Sequence, residues 1–123
     1  MNPLPHHYRV ESTTTPSENV VLSSEGLPEL VSAAPREFDG PGDQWSPESL
    51  LVSAVASCFL LTFRAIARAS KLEWSTLRCT AEGTLDRLEG VTRFVEMHLV
   101  AHLDLPDAAK ADTARRLLEK AEK

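Results

Sequence analysis

From Leu50 to Phe63 the chain is apolar on almost every side of a helix, and from Leu72 onward it changes to alternating apolar and polar positions. A helix on a protein surface keeps one face polar, so an all-round apolar one must be wrapped by other elements. This stretch is therefore predicted to be a buried central helix. Ser46-Pro47-Glu48 marks its start: Ser accepts an orphan backbone N–H as N-cap, Pro at the first helical position needs no donor, and Glu complements the dipole. The helix is predicted to run to about Ser70, and Ala54, Ser57 and Ala65 keep parts of its wall thin enough for another backbone to approach.

Alternation over Leu72 to Leu85 and Thr92 to Leu103, with Asp86-Arg87-Leu88-Glu89-Gly90 between them, predicts an antiparallel hairpin. Leu77, Cys79, Ala81, Gly83 and Leu85 fall on its dry face, and Arg78, Thr80, Glu82 and Thr84 on the wet one. Pro106-Asp107 opens a second, amphipathic helix over Ala108 to Lys123, apolar at Ala111, Ala114, Leu117, Leu118 and Ala121. That helix meets the end of the sequence without a Gly cap or closing turn. The expectation is a single domain over residues 1–123 that lacks a C-terminal segment.

Towards the N-terminus, Tyr8 to Thr15 and Asn19 to Ser24 have the β-branched content of short strands, joined by the turn Pro16-Ser17-Glu18-Asn19. Glu29 to Ala33, bracketed by Pro28 and Pro35, can supply a third. The loop from Phe38 to Trp45, with Gly40-Pro41-Gly42 inside it, separates this strand-rich part from the central helix. The predicted class is α+β, antiparallel sheets around a buried central helix.

Composition narrows the function. The chain is 42% hydrophobic and 25% charged, ordinary for a globular domain, and its formal net charge of −5 with interspersed signs argues against nucleic acid and against an anionic membrane. Ser49 to Phe63, the longest uncharged stretch, is too short to span a bilayer. No basic stretch followed by an apolar run opens the sequence, and two cysteines with twenty residues between them form neither a zinc motif nor a disulfide framework, which fits a reducing cytoplasm.

Two residues stand out for chemistry. Cys58 lies in the central helix, where a buried thiol is ordinarily a small hydrophobe. Glu48 opens the same helix after the Gly-rich loop, ten residues earlier. Ten residues of straight helix rise about 15 Å. A site combining the two needs either a bend in the helix or a residue from another chain. Cys79, on the dry face of a strand, reads as core filler. His98 and His102 share a strand face but stand about 13 Å apart, too far to chelate one metal directly. His6 and His7 lie near the N-terminus, and no metal or cofactor site is predicted.

Taken together, Pro35-Arg36-Glu37-Phe38-Asp39-Gly40-Pro41-Gly42, Trp45-Ser46-Pro47-Glu48-Ser49-Leu50-Leu51 and Ala56-Ser57-Cys58-Phe59 resemble the signature of the OsmC/Ohr family, the osmotically inducible and organic hydroperoxide resistance proteins. The order of elements agrees over essentially the whole chain. The resemblance implies an intertwined homodimer with active sites at its interface, reducing organic hydroperoxides to alcohols with an external thiol or dithiol, such as a lipoylated protein, as reductant. By the same resemblance Cys58 is the peroxidatic residue, Glu48 orients an activating arginine, and Arg36, just before the Gly-rich loop, takes that arginine's part. Two departures follow from the comparison. The turn that carries the arginine in the hydroperoxide-resistance branch is Pro16-Ser17-Glu18-Asn19 here, and the family's resolving cysteine would lie beyond Lys123. They keep a second expectation alive, an OsmC-like dimer without catalysis that binds an apolar small ligand.

Overall fold

The computed structural model describes residues 3–122. The chain divides into two compact units, residues 1–50 and 51–123.

The first unit carries a three-stranded antiparallel sheet, β1 (Glu11–Thr13), β2 (Val20–Ser23) and β3 (Leu30–Ser32), in that order. Ser12 pairs with Leu22 and Val21 with Val31, so the expected hairpin and third strand are present, with shorter paired segments than the β-branched runs suggest. The turn closes through Glu18: Thr14 Oγ1 donates to its carbonyl at 2.9 Å and Thr15 Oγ1 to its Oε1 at 3.0 Å. After β3 a single 3-10 turn, Arg36–Phe38, leads into the Gly-rich loop, and the loop returns to the sheet where Ala33 N donates to Trp45 O at 2.9 Å. Little of this unit is buried. Ser32, Ala33 and Ser46 are its buried residues, whereas Val10 is 62% and Leu27 64% exposed.

α1 (Pro47–Ala69) begins as the sequence predicts. Ser49 N donates to Ser46 Oγ at 3.1 Å and Ser46 N to Ser49 Oγ at 2.9 Å, a reciprocal capping box in which Ser replaces the usual Glu or Gln. The expectation that this helix is enclosed is not met within one chain. Phe63 and Ala67 are its buried residues, while Leu51 and Leu61 are 48% and 54% exposed. Taken whole, its 23 residues are also long and apolar enough to cross a bilayer by length and composition, although the uncharged stretch within it is shorter.

In the second unit, β4 (Thr76–Leu88) and β5 (Val91–Asp104) form a long antiparallel hairpin. Its alternation is the predicted one, with Leu77, Cys79, Ala81, Gly83 and Leu85 half-buried and the residues between them exposed. The connection is shorter than expected. Pairing runs on through Asp86↔Arg93, Arg87↔Thr92 and Leu88↔Val91, leaving Glu89 and Gly90 at φ 51° and 80° as the two-residue turn. Positive φ at both central positions matches the right-handed strand twist, and Gly90 meets it without steric cost. Val95 is the extra residue of a bulge between Thr84↔Glu96 and Leu85↔Phe94.

The second helix starts later than Pro106-Asp107 suggests. Asp107 caps a 3-10 turn, Ala108–Lys110, its side chain accepting from Ala109 N at 3.0 Å, and α2 follows as Ala111–Glu122. The predicted end at Lys123 lies outside the described residues. Phe63, Ala67 and Ala121 form the core of this unit, with Leu72, Trp74, Leu77, Leu103, Leu117 and Leu118 packed around them. Phe63 and Trp74 meet edge to face, ring centroids 5.6 Å apart at 72°.

Candidate functional site

Val55, Cys58, Phe59 and Thr62 recur at helical spacing, so they share one face of α1. With Met97 and Leu99 from the dry face of β5, and Ala121 and Glu122 from the end of α2, they line a cleft of about 540 Å³. Cys58 is exposed on this cleft, not sunk in a core as its all-apolar helix suggests. The helix period alone cannot say which side of such a helix stays open. One polar neighbour of the sulfur has no motif to announce it: Thr62 Oγ1 stands 3.9 Å from Cys58 Sγ, and the i, i+4 spacing is its one signal in the sequence.

Glu48 occupies the second position of α1, and its Oε1 is buried with no hydrogen-bond partner among the described residues. A carboxylate oxygen in that condition costs on the order of 1–3 kcal/mol unless a donor reaches it. Arg36 does not do so in one chain. It is exposed in its 3-10 turn and makes no ion pair with Glu48, and the ion pair among the described residues is Arg115 with Asp112 at 3.4 Å. The Nε–Nη2 edge of the Arg36 guanidinium faces Gly42 instead. Because α1 runs without a break from Pro47 to Ala69, its rise alone separates Glu48 from Cys58 by about 15 Å.

Cys79 behaves as filler. It is half-buried opposite Ala101, and burial pushes its thiol above the ordinary value, away from the reactive thiolate. His98 and His102 are exposed, facing Glu82 and Arg78 across the hairpin. Among the described residues no three His, Cys, Asp or Glu side chains gather as a metal site.

A family profile described as OsmC-like protein matches residues 40–123. The chain belongs to the OsmC-like family. It is 30% identical over 121 residues to the uncharacterized protein YmaD of Bacillus subtilis, covering 95% of this chain and 81% of that one. Its fold is similar to that of an organic hydroperoxide resistance protein OsmC from Legionella pneumophila, with TM-score 0.76, 25% identity, and 97% of this chain and 84% of that chain covered. A putative organic hydroperoxide resistance protein from Vibrio cholerae, with captopril bound in one of its active sites, gives TM-score 0.75 and 27% identity over 98% of this chain and 81% of that one. The α+β architecture of antiparallel sheets with a long helix is the OsmC-like one, and a redox role in antioxidant defence comes with the family.

Proposed function

We propose that this OsmC-like chain is a thiol-dependent hydroperoxide reductase that works as an intertwined homodimer in the cytoplasm, with Cys58 as the peroxidatic residue. The observation that carries the reading is the exposure of Cys58 on an apolar cleft of about 540 Å³, which suits an organic peroxide better than hydrogen peroxide.

Three features support the dimer. The strand-rich unit has Ala33 as its one buried apolar residue among those described, α1 leaves large apolar side chains uncovered, and Glu48 Oε1 lacks a donor among the described residues. A second copy supplies the missing cover in each case. It also resolves the Glu48 to Cys58 separation, since Glu48 and Arg36 of one subunit can then serve Cys58 of the other. Arg64 and Arg68 in the second half of α1 favour a protein partner over lipid for that helix.

In the proposed reaction the Cys58 thiolate attacks the distal peroxide oxygen. An S–O bond forms as the O–O bond breaks, sulfur gives up two electrons, and the departing alkoxide takes a proton to become the alcohol. One external thiol condenses with the resulting sulfenic acid, forming an S–S bond and releasing water. A second thiol, or the other sulfur of a dithiol, then frees Cys58 as the reductant leaves as a disulfide. Mid-helix, Cys58 gains little from the dipole of α1, so its thiolate depends on a nearby cation, the part assigned to Arg36 held by Glu48.

The test is turnover of a bulky organic hydroperoxide with a dithiol reductant. Cys58→Ser should abolish it and Cys79→Ser should keep most of it. Arg36→Ala should lower the rate and move Cys58 alkylation to higher pH. Binding of apolar ligands by a dimer that turns over no hydroperoxide would establish the non-catalytic alternative instead.

A further inference from the structure

We infer that the Thr62 hydroxyl is a positioning group for Cys58, donating its hydrogen bond to the sulfur once the thiol is ionised; the inference rests on the peroxidatic role proposed above. A threonine inside a helix ordinarily turns its hydroxyl back to the carbonyl four residues earlier, which here is that of Cys58. Thr62 does not. Its Oγ1 faces Cys58 Sγ at 3.9 Å and has no other hydrogen-bond partner among the described residues.

The chemistry of the pair fixes the direction of that bond. A neutral thiol and a hydroxyl can each donate, but a thiolate only accepts, so loss of the Cys58 proton leaves Thr62 as the donor. A hydrogen bond to the charged form favours that form. The setting makes it count, because Val55, Phe59, Met97, Leu99 and Ala121 make most of the remaining cleft wall apolar, and Glu122 of α2, the other titratable side chain lining it, is when ionised an acceptor that gives the sulfur no donor. Thr62 is also held in place. Its Cβ is branched, which limits χ1, and the next residue, Phe63, is fully buried and anchors that turn of α1. The hydroxyl therefore holds the thiolate over the cleft from within its own helix, whatever cation a second subunit brings.

The experiment compares four proteins in which Cys58 is the one thiol: Cys79→Ser alone and combined with Thr62→Val, Thr62→Ala or Thr62→Ser. The rate of iodoacetamide alkylation is followed against pH, alongside organic hydroperoxide turnover, with circular dichroism and thermal melting as checks of folding. Thr62→Val and Thr62→Ala should move the alkylation midpoint to higher pH and cut the thiolate fraction below the midpoint roughly two- to tenfold, the size of one net hydrogen bond. Thr62→Ser should recover most of the difference. Superimposable profiles for Cys79→Ser, Thr62→Val and Thr62→Ala overturn the inference, and if one of the two does not fold the other decides. A shifted profile in a protein that turns over no hydroperoxide removes the peroxidase reading and leaves the Thr62 to Cys58 link standing. Unshifted profiles with normal turnover remove the link alone.

Discussion

The Nε–Nη2 edge of the Arg36 guanidinium faces Gly42, so that a Cβ built there would stand 2.8 Å from both nitrogens. Gly42 sits at φ 80°, a conformation that other residues adopt only with strain, and its lack of a Cβ is what leaves room for that edge of the guanidinium against the loop.

The first prediction concerns that contact. Gly42→Ala should push the guanidinium away and lower hydroperoxide turnover several-fold, and adding it to Arg36→Ala should cost little further, because both act on one group. Backbone strain should also take about 1–2 kcal/mol from stability. Turnover measured well below the melting temperature separates the two effects. Independent, additive losses would show that Gly42 does not act through Arg36.

A dimer should be visible by sedimentation at micromolar concentration. Leu61 is 54% exposed on α1, and Leu61→Arg should raise the dissociation constant at least tenfold by putting an unpaired charge where a second copy must pack. A wild-type chain that sediments as a well-folded monomer would remove the shared site together with the dimer.

Cys79 makes stability depend on pH. Burial raises its thiol above the ordinary value, so the folded chain keeps this proton to higher pH than the unfolded chain does. The corresponding stability is complete below the ordinary thiol range and is lost as pH rises from there through the raised value. Urea midpoints measured from neutral to alkaline pH should fall more steeply for wild type than for Cys79→Ala.

Phe63 is fully buried and stacked edge to face on Trp74, so Phe63→Ala should cost about 3–5 kcal/mol through lost burial and the cavity left behind. Thr62→Val, next to it in sequence, should cost far less. Chemical denaturation of both variants checks the contrast.

Local signals in the sequence determined most of the elements of this protein. Ser46-Pro47-Glu48 starts α1 because capping needs only neighbours three residues away, and alternation puts Cys79 and Leu77 inward because the strand period is two whatever the sheet packs against. The loop signature, the Glu48 to Cys58 spacing and the Ala-Ser-Cys-Phe context pointed to the family before any coordinate did. Tertiary structure decided what depends on partners far away in the chain. The hairpin turn fell at Glu89-Gly90 because cross-strand pairing carried Asp86 to Leu88 into β4, and Val95 bulged where two strand registers had to be reconciled. Above all, a helix apolar on every side holds no information about which side its neighbours leave open. The i, i+4 spacing sets Cys58 beside Thr62, and only the arrival of β5 and α2 made that face of α1 the wall of an open cleft.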